Sequence, residues 1–280
     1  MKKIIALVAA LVMALTTLTA CGGNGQAVKV IDIELTAEQY AFGVDKTQPE
    51  LLEKVNAFIK KIKDDGTLEA ICDKYFSGGT PTGVTSAEKD PSKNQLVVAT
   101  NAAFEPFEYK KGDTYYGIDM EIAKLLADEL GMELVIDNMD FDAVCLAVGQ
   151  QKCDIAMAGL TISEDRKEHV TFTDSYYDAS QKLIVPADNT EFDNCKSVAD
   201  VEAILNAKGK DCKIGVQNGT TGQLYSVGDP DWDFPGYDVT TTGYESGSMA
   251  VQDLLNGNLN YVIIDAAPAQ FIVDAINALQ

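Results

Sequence analysis

Apolar residues recur along this chain in two spacings. In "GIDMEIAKLLADELG" (117–131), Ile118, Ile122, Leu126 and Leu130 fall every fourth residue, with Leu125 beside them. That is the spacing of one helix face. Asp119 is placed to cap the start of this helix and Gly131 to end it. Short continuous apolar runs surround it. "QLVVATN", "MELVIDN" and "CDIAMAGL" read as buried strands, with "FDAVCLAVGQQ" a helix between the last two. The alternation then repeats: strand "KLIVPA", a helix over 197–208, strand "KIGVQ", a short helix from Thr220, strand "YDVTTT", helix "SGSMAVQDLLNG", strand "YVIID" and a final helix. Strands alternating with helices predict an α/β fold of two largely parallel, doubly wound sheets.

The front of the chain breaks this rhythm. "VKVIDIEL" and "YAFGV" read as strands. Two helices follow, "TQPELLEKVNAFIKKIKDDG", with Leu51, Val55, Phe58 and Ile62 on one stripe, and "TLEAICDKYF". Residues 77–94, "SGGTPTGVTSAEKDPSKN", are rich in Gly, Ser, Thr and Pro, and by composition form a flexible linker. At the other end the sequence given closes on a helix, where the alternation asks for one more strand.

Residues 1–20 stand apart: two lysines, an apolar run from Ile4 to Leu18, then small residues. This is the pattern of a secretory signal peptide, and the run is shorter than the roughly 20 residues a membrane-spanning helix needs. Of the 22 basic residues, Lys2 and Lys3 lie in this leader, which leaves 20 against 43 acidic. So acidic a surface repels nucleic acid and argues against that partner class. Six cysteines are present. Cys195 and Cys212 bracket a helix and could pair; Cys72, Cys145 and Cys153 read as buried thiols. With no CxxC and one histidine, His169, a metal site has little support, and no cofactor is expected. The run "GDPDWDF" opens like a calcium loop, with Asp229, Asp231 and Asp233, but has Phe234 where the turn needs Gly and Thr240 where a Glu should close it.

From Gln95 to Asp265 the sequence resembles the extracytoplasmic solute-binding proteins of polar amino acid ABC transporters. The matching phrases, in order, are "VVATNAAFEPFEY", "GIDMEIAKLLADELG", "MDFDAV", "DIAMAGLTISEDRKEHVTFTDSYY", "IGVQNGTTG" and "YVIIDAAPA". "LTAC" resembles a bacterial lipobox, which implies cleavage before Cys21 and a lipid on its sulfur. The front block, 27–76, looks like the C-terminal segment of that family. The resemblance therefore implies a two-lobed periplasmic-binding-type fold, circularly permuted, with "VKVIDI" as the strand missing from the end. It implies a signal peptide (1–20), a tether plus one small-lobe strand (21–34), a large lobe (35–182, containing the 77–94 linker) and a small lobe (183–280).

An amino acid presents a carboxylate, an ammonium and a side chain, so its site needs a fixed cation, a fixed anion and a shaped pocket. The resemblance assigns Arg166 to the carboxylate, which the backbone N–H groups of "NGTTG" (Thr220, Thr221) can meet from the opposite lobe; Thr161 could bond both ends of the ligand. Asp265 and the Gly159 carbonyl fall to the ammonium. Phe104 and Phe141 flank the ligand side chain, and Asn101 and Gln217 tune its choice. Asn101 stands where binders of cationic amino acids carry Asp, so the expected ligand is a polar, uncharged amino acid. The expected partners are an ABC transporter permease and, through the lipid, the outer face of the membrane. Two alternatives remain open. One is a dehydratase-like enzyme with Glu105 or Glu108 as its general acid; the other is the ectodomain partner of a separate sensor.

Overall fold

The computed structural model describes residues 26–232 and 234–279; Cys21 and the leader lie outside them. In chain order the elements are β1 (Val28–Ile31), β2 (Glu38–Tyr40), β3 (Gly43–Asp45), α1 (Pro49–Asp64), α2 (Thr67–Phe76), β4 (Gln95–Thr100), β5 (Ala103–Phe104), β6 (Glu108–Lys111) and β7 (Thr114–Tyr116). They continue with α3 (Ile118–Leu130), β8 (Glu133–Asn138), α4 (Val144–Gly149), β9 (Ile155–Ala156), α5 (Glu164–Lys167), β10 (Val170–Phe172), β11 (Tyr177–Ala179) and β12 (Gln181–Pro186). The last are α6 (Val198–Asn206), β13 (Lys213–Gln217), α7 (Thr221–Val227), β14 (Thr240–Tyr244), α8 (Gly247–Leu255), β15 (Tyr261–Asp265) and α9 (Ala266–Asn277).

Two five-stranded sheets organise these elements into two lobes. The first has the order β10-β3-β9-β4-β8 and the second β1-β12-β15-β13-β14. Neither is largely parallel. In the first, β9, β4 and β8 run parallel while β3 and β10 pair antiparallel. In the second, β15, β13 and β14 are parallel while β12 and β1 are antiparallel. The reason is the path of the chain. β3 and β12 enter their sheets directly after crossing between lobes, and a returning strand has no βαβ crossover to make it parallel. The crossings run side by side as a ribbon, β2 paired with β11 through Tyr40–Tyr177 and Glu38–Ala179. "YAFGV" is accordingly two strands, not one: it leaves the ribbon at Tyr40 and joins the first sheet at Gly43.

The apolar spacing is explained by burial. Ile118, Ile122 and Leu126 of α3 are fully buried against Leu96, Ile155 and Met157 of the first sheet. Each such side chain contributes about 1.5–3 kcal/mol when removed from water. α1 and α2 pack into the same core through Val55, Phe58, Ile59, Leu68 and Ile71. The second lobe has a separate core on one face, with Leu183, Val185, Val201, Leu205, Ile214 and Ile263. Gly131 ends α3 in the left-handed conformation, as its position predicts. Asp119 does not cap it. Gly117 occupies the cap, and the Asp119 side chain turns inward to accept hydrogen bonds from Gly159 N (2.9 Å) and the Tyr176 hydroxyl (2.5 Å).

Composition misreads residues 77–94 as flexible. The segment is pinned along the first lobe: Thr82 N donates to Glu121 (2.9 Å), Val84 is buried and exchanges two backbone bonds with Tyr115, Ala87 N donates to Leu134 O (2.8 Å), and Ile136 N donates to Ser86 Oγ (2.9 Å). Cys195 and Cys212 do not pair; Cys72, Cys145, Cys153, Cys195 and Cys212 all carry free thiols. Among the described residues no helix is long and apolar enough to cross a membrane.

Candidate functional site

The cleft between the lobes is built from strand ends, because a side chain there is fixed by the sheet yet free of its ladder. Arg166 sits on the short helix α5, which Ser163 caps by accepting from Arg166 N (3.3 Å). Its guanidinium lies over the Phe141 ring, 5.2 Å from the centroid. Nη1 donates to Thr161 O (2.7 Å), and Nη2 reaches across the cleft to Gly219 O (3.1 Å). An arginine has five N–H donors in a planar fork, so these two bonds aim the group and leave three donors for a carboxylate. Gly219 has φ of +71°, and a Cβ there would press on Asp142 at 3.0 Å, so glycine allows the lobes to meet at this point.

Gly159 is held in the left-handed region at φ +53°, and any Cβ on it would stand 2.9 Å from the Phe104 ring. Its place beside Phe104 therefore depends on the missing side chain. Across the cleft, Gln217 Nε2 donates to Asn101 Oδ1 (3.1 Å), and Asn101 Nδ2 donates to Met139 O (2.7 Å). Gln217 Oε1 is buried and accepts no hydrogen bond from the described residues. Thr220 caps α7: it accepts from Gln223 N (3.4 Å), and its own proton goes to Gln217 O (2.8 Å). Thr221 follows as the first, buried residue of α7.

Asp265 occupies the cap position of α9 without capping it. Its carboxyl is buried and accepts instead from the Tyr40 hydroxyl of the hinge ribbon (2.5 Å). Burial, reinforced by the nearby charge of Glu38, pushes the Asp265 carboxyl up to about 7, against the opposing hydrogen bond from Tyr40. Burial likewise raises Asp119 to about 7, opposed by its bonds from Gly159 and Tyr176.

Of the ten residues named from sequence, Thr220 bonds Gln217 O, Thr221 follows it on α7, and seven others fall into three contact groups. These are Arg166–Phe141–Thr161, Asn101–Gln217, and Phe104 beside Gly159; Asp265 joins them through the hinge. The sequence places two hinge crossings, near Glu34–Glu38 and Ser180–Ile184, but gives the side chains of Glu38 and Tyr40 no role. Glu38 accepts from Thr161 Oγ1 (2.6 Å), Thr36 Oγ1 (2.5 Å) and Gln181 Nε2 (3.1 Å). A signal was present: in a strand, Glu38 and Tyr40 share a face, and both are buried while Gln39 is exposed. The two general-acid candidates are placed differently. Glu105 is half-buried and paired with Lys111 at 3.7 Å; Glu108 is fully buried, with both oxygens lacking a hydrogen-bond partner among the described residues. The largest cavity described, about 640 Å³, lies elsewhere, between the start of α1 and Leu130–Met132.

Two α/β lobes on a two-crossing hinge, with charged and amide side chains meeting between them, define a periplasmic-binding-protein-like fold. The chain belongs to the bacterial extracellular solute-binding proteins, family 3, whose model it matches over residues 96–265. Among curated relatives it is 32% identical to the arginine-binding extracellular protein ArtP of Bacillus subtilis over 141 residues, 50% of this chain and 51% of that one. It is 30% identical to the ABC transporter arginine-binding protein 1 of Escherichia coli over 186 residues, 66% of each chain. The chain thus spans about half to two-thirds of the length of these curated relatives. Among solved structures, an ancestral amino acid-binding protein described as a precursor of cyclohexadienyl dehydratase matches with a TM-score of 0.55 and 31% identity, covering 65% of this chain and 74% of that one. An ancestral arginine-binding protein bound to glutamine matches with a TM-score of 0.53 and 32% identity, over 65% and 74%.

Proposed function

We propose that this protein captures a free amino acid between its lobes and presents it to the permease of an ABC transporter. One observation carries this reading. A guanidinium aimed by two carbonyls keeps three donors on one lobe, while a buried carboxylate, Asp265, stands on the other. A zwitterion satisfies both, and no single-charged ligand does. The relatives carry arginine in their names, and one solved relative holds glutamine. The side-chain end of this cleft is formed by the amides of Asn101 and Gln217. That favours a polar, uncharged side chain, because an amide offers a guanidinium or ammonium no counter-charge. Cys21 lies outside the described residues; its lipidation, and anchoring to the outer face of the membrane, belong to the same proposal.

The order of the segments is part of the reading. The family match begins at residue 96, and the block before it supplies an end strand to the second sheet, one hinge strand, and two helices to the first lobe. A circular permutation of the family's usual order accounts for that distribution, and such rearrangement leaves a core intact when the natural ends lie close.

The test is a thermal-shift screen of the twenty amino acids. A ligand at 100 times its Kd stabilises by about 2.7 kcal/mol, an easily measured rise in Tm. If none of the twenty raises it, the proposal fails.

A further inference from the structure

Glu38 lies outside the region matched to the family and is not among the ligand-binding residues assigned from sequence. Its carboxylate is buried at the hinge and takes three donors. Thr36 Oγ1 already accepts from Gln181 N (2.9 Å), so its single proton points to Glu38 (2.5 Å). Gln181 adds its amide N–H to the same oxygen, Oε1 (3.1 Å). The other oxygen, Oε2, takes the proton of Thr161 (2.6 Å). Gln181 is also the cross-strand partner of Asp265, so the two carboxylates flank one side chain. Among the described residues Glu38 makes no ion pair with a Lys or Arg.

We infer that Glu38 is a positioning residue that makes this cleft select amino acids over their 2-hydroxy and 2-oxo counterparts. The inference rests on the amino acid reading above. Glu38 is the acceptor in all three of its bonds, so it claims the one proton of the Thr161 hydroxyl. The oxygen of Thr161 is then left with lone pairs alone to offer the ligand. It accepts from an ammonium and repels a carbonyl or a second acceptor. Glu38 also places a second negative charge beside Asp265, which strengthens the demand for a cation at that end of the ligand.

The polarity can be reversed with one atom. In Glu38→Gln, two donors, Thr36 and Gln181, hold the carbonyl of the new amide on their side. Its NH₂ then faces Thr161, which must accept from it and turn its own proton toward the ligand. The experiment titrates the parent and the variant by calorimetry with L-glutamine or L-arginine, whichever stabilises the parent more, and with the matching 2-hydroxy acid. The expected result is a loss of about 10- to 100-fold for the amino acid, with the hydroxy acid unchanged or tighter. Equal weakening of both ligands, or of neither, overturns the inference, since a purely structural role moves the two together. Should Glu38→Gln fail to fold, Thr161→Val serves: it must also shrink the preference for the amino acid, and an unchanged preference overturns the inference. A parent that binds no amino acid sinks the proposed function itself, a different outcome from a parent that binds while the variant keeps its preference.

Discussion

Asn277, the last residue of α9, clasps Val28 at the first residue of β1. Its Nδ2 donates to Val28 O (3.0 Å), while its Oδ1 accepts from Val28 N (3.4 Å) and from Ala27 N (2.9 Å). Residues 249 and 250 positions apart are thus held as neighbours in a loop would be. One side chain satisfies backbone groups of an end strand whose outer side has no ladder partner among the described residues. Asn277→Ala is expected to cost about 1–2 kcal/mol, read as a lower midpoint in urea. Joining the two ends by a short linker and reopening the chain within 77–94 should restore the family's usual order, with ligand response intact. A rearranged chain that folds but no longer responds would count against the permutation.

Arg166→Lys keeps the charge and loses the planar fork. A lysine ammonium cannot bond Thr161 O and Gly219 O while still offering paired donors to a carboxylate. Affinity for the amino acid found in the screen should fall on the order of 10- to 100-fold. Parent-like affinity in this variant would show that another group holds the carboxylate.

Stability of the unliganded protein should fall as pH rises from about 4 to above 7. Burial raises Asp119 and Asp265 to about 7 and Glu108 well above its ordinary value. In the unfolded chain these groups ionise near 4, so over this window the folded state holds the extra protons. Their contribution is fully present below the unfolded values and is lost as pH climbs through the folded ones. The surface acids Asp32, Asp90 and Asp200 are lowered by hydrogen bonds from Lys182, Ser92, and Lys196 with Ser197, respectively; they act oppositely, and only below about 4. A calorimetric Tm at pH 5 above that at pH 8 is the expected result. The reverse order would mean that these carboxyls are ionised in the fold without cost.

Trp232 is the only tryptophan. It is 39% exposed in the turn Pro230–Trp232, and it lines a cavity of about 490 Å³ with Glu38, Gln39, Thr161 and Ile162. Its turn belongs to the second lobe and the other four residues to the hinge and the first lobe. Movement of one lobe against the other therefore changes its solvation. Ligand should shift its emission to shorter wavelength as the cleft closes, and Trp232→Phe should abolish the signal without loss of binding by calorimetry. A silent tryptophan in a protein that binds would argue that binding does not move the lobes.

Much of the fold was legible because its elements bury one face. α3, β13 and β15 lie within one residue of where apolar spacing puts them. What spacing cannot show is direction and destination. The antiparallel strands β3 and β12 look like any buried strand in sequence; only the hinge path sets their sense. Asp119 has the position of a helix cap but is drawn inward by Tyr176 and Gly159, partners 57 and 40 residues away. The cleft was readable where a family phrase marked it, as at Arg166 and Asp265. At Glu38 and Tyr40 only the strand alternation offers a signal, and their phrase sits far from the others in the chain, so no ligand role attaches to them.

The pinned segment 77–94 has one more consequence. β8 is the outermost strand of the first sheet. An unpaired strand at that place is a template on which a second molecule can add its own, and natural proteins cover or charge such borders. Here Ser86 and Ala87 lie on it, taking up Ile136 N and Leu134 O. What composition presents as a mere connector is thus a guard rail against fibre growth. Shortening it to the minimum span would leave the lobe folded and its flank open to self-association.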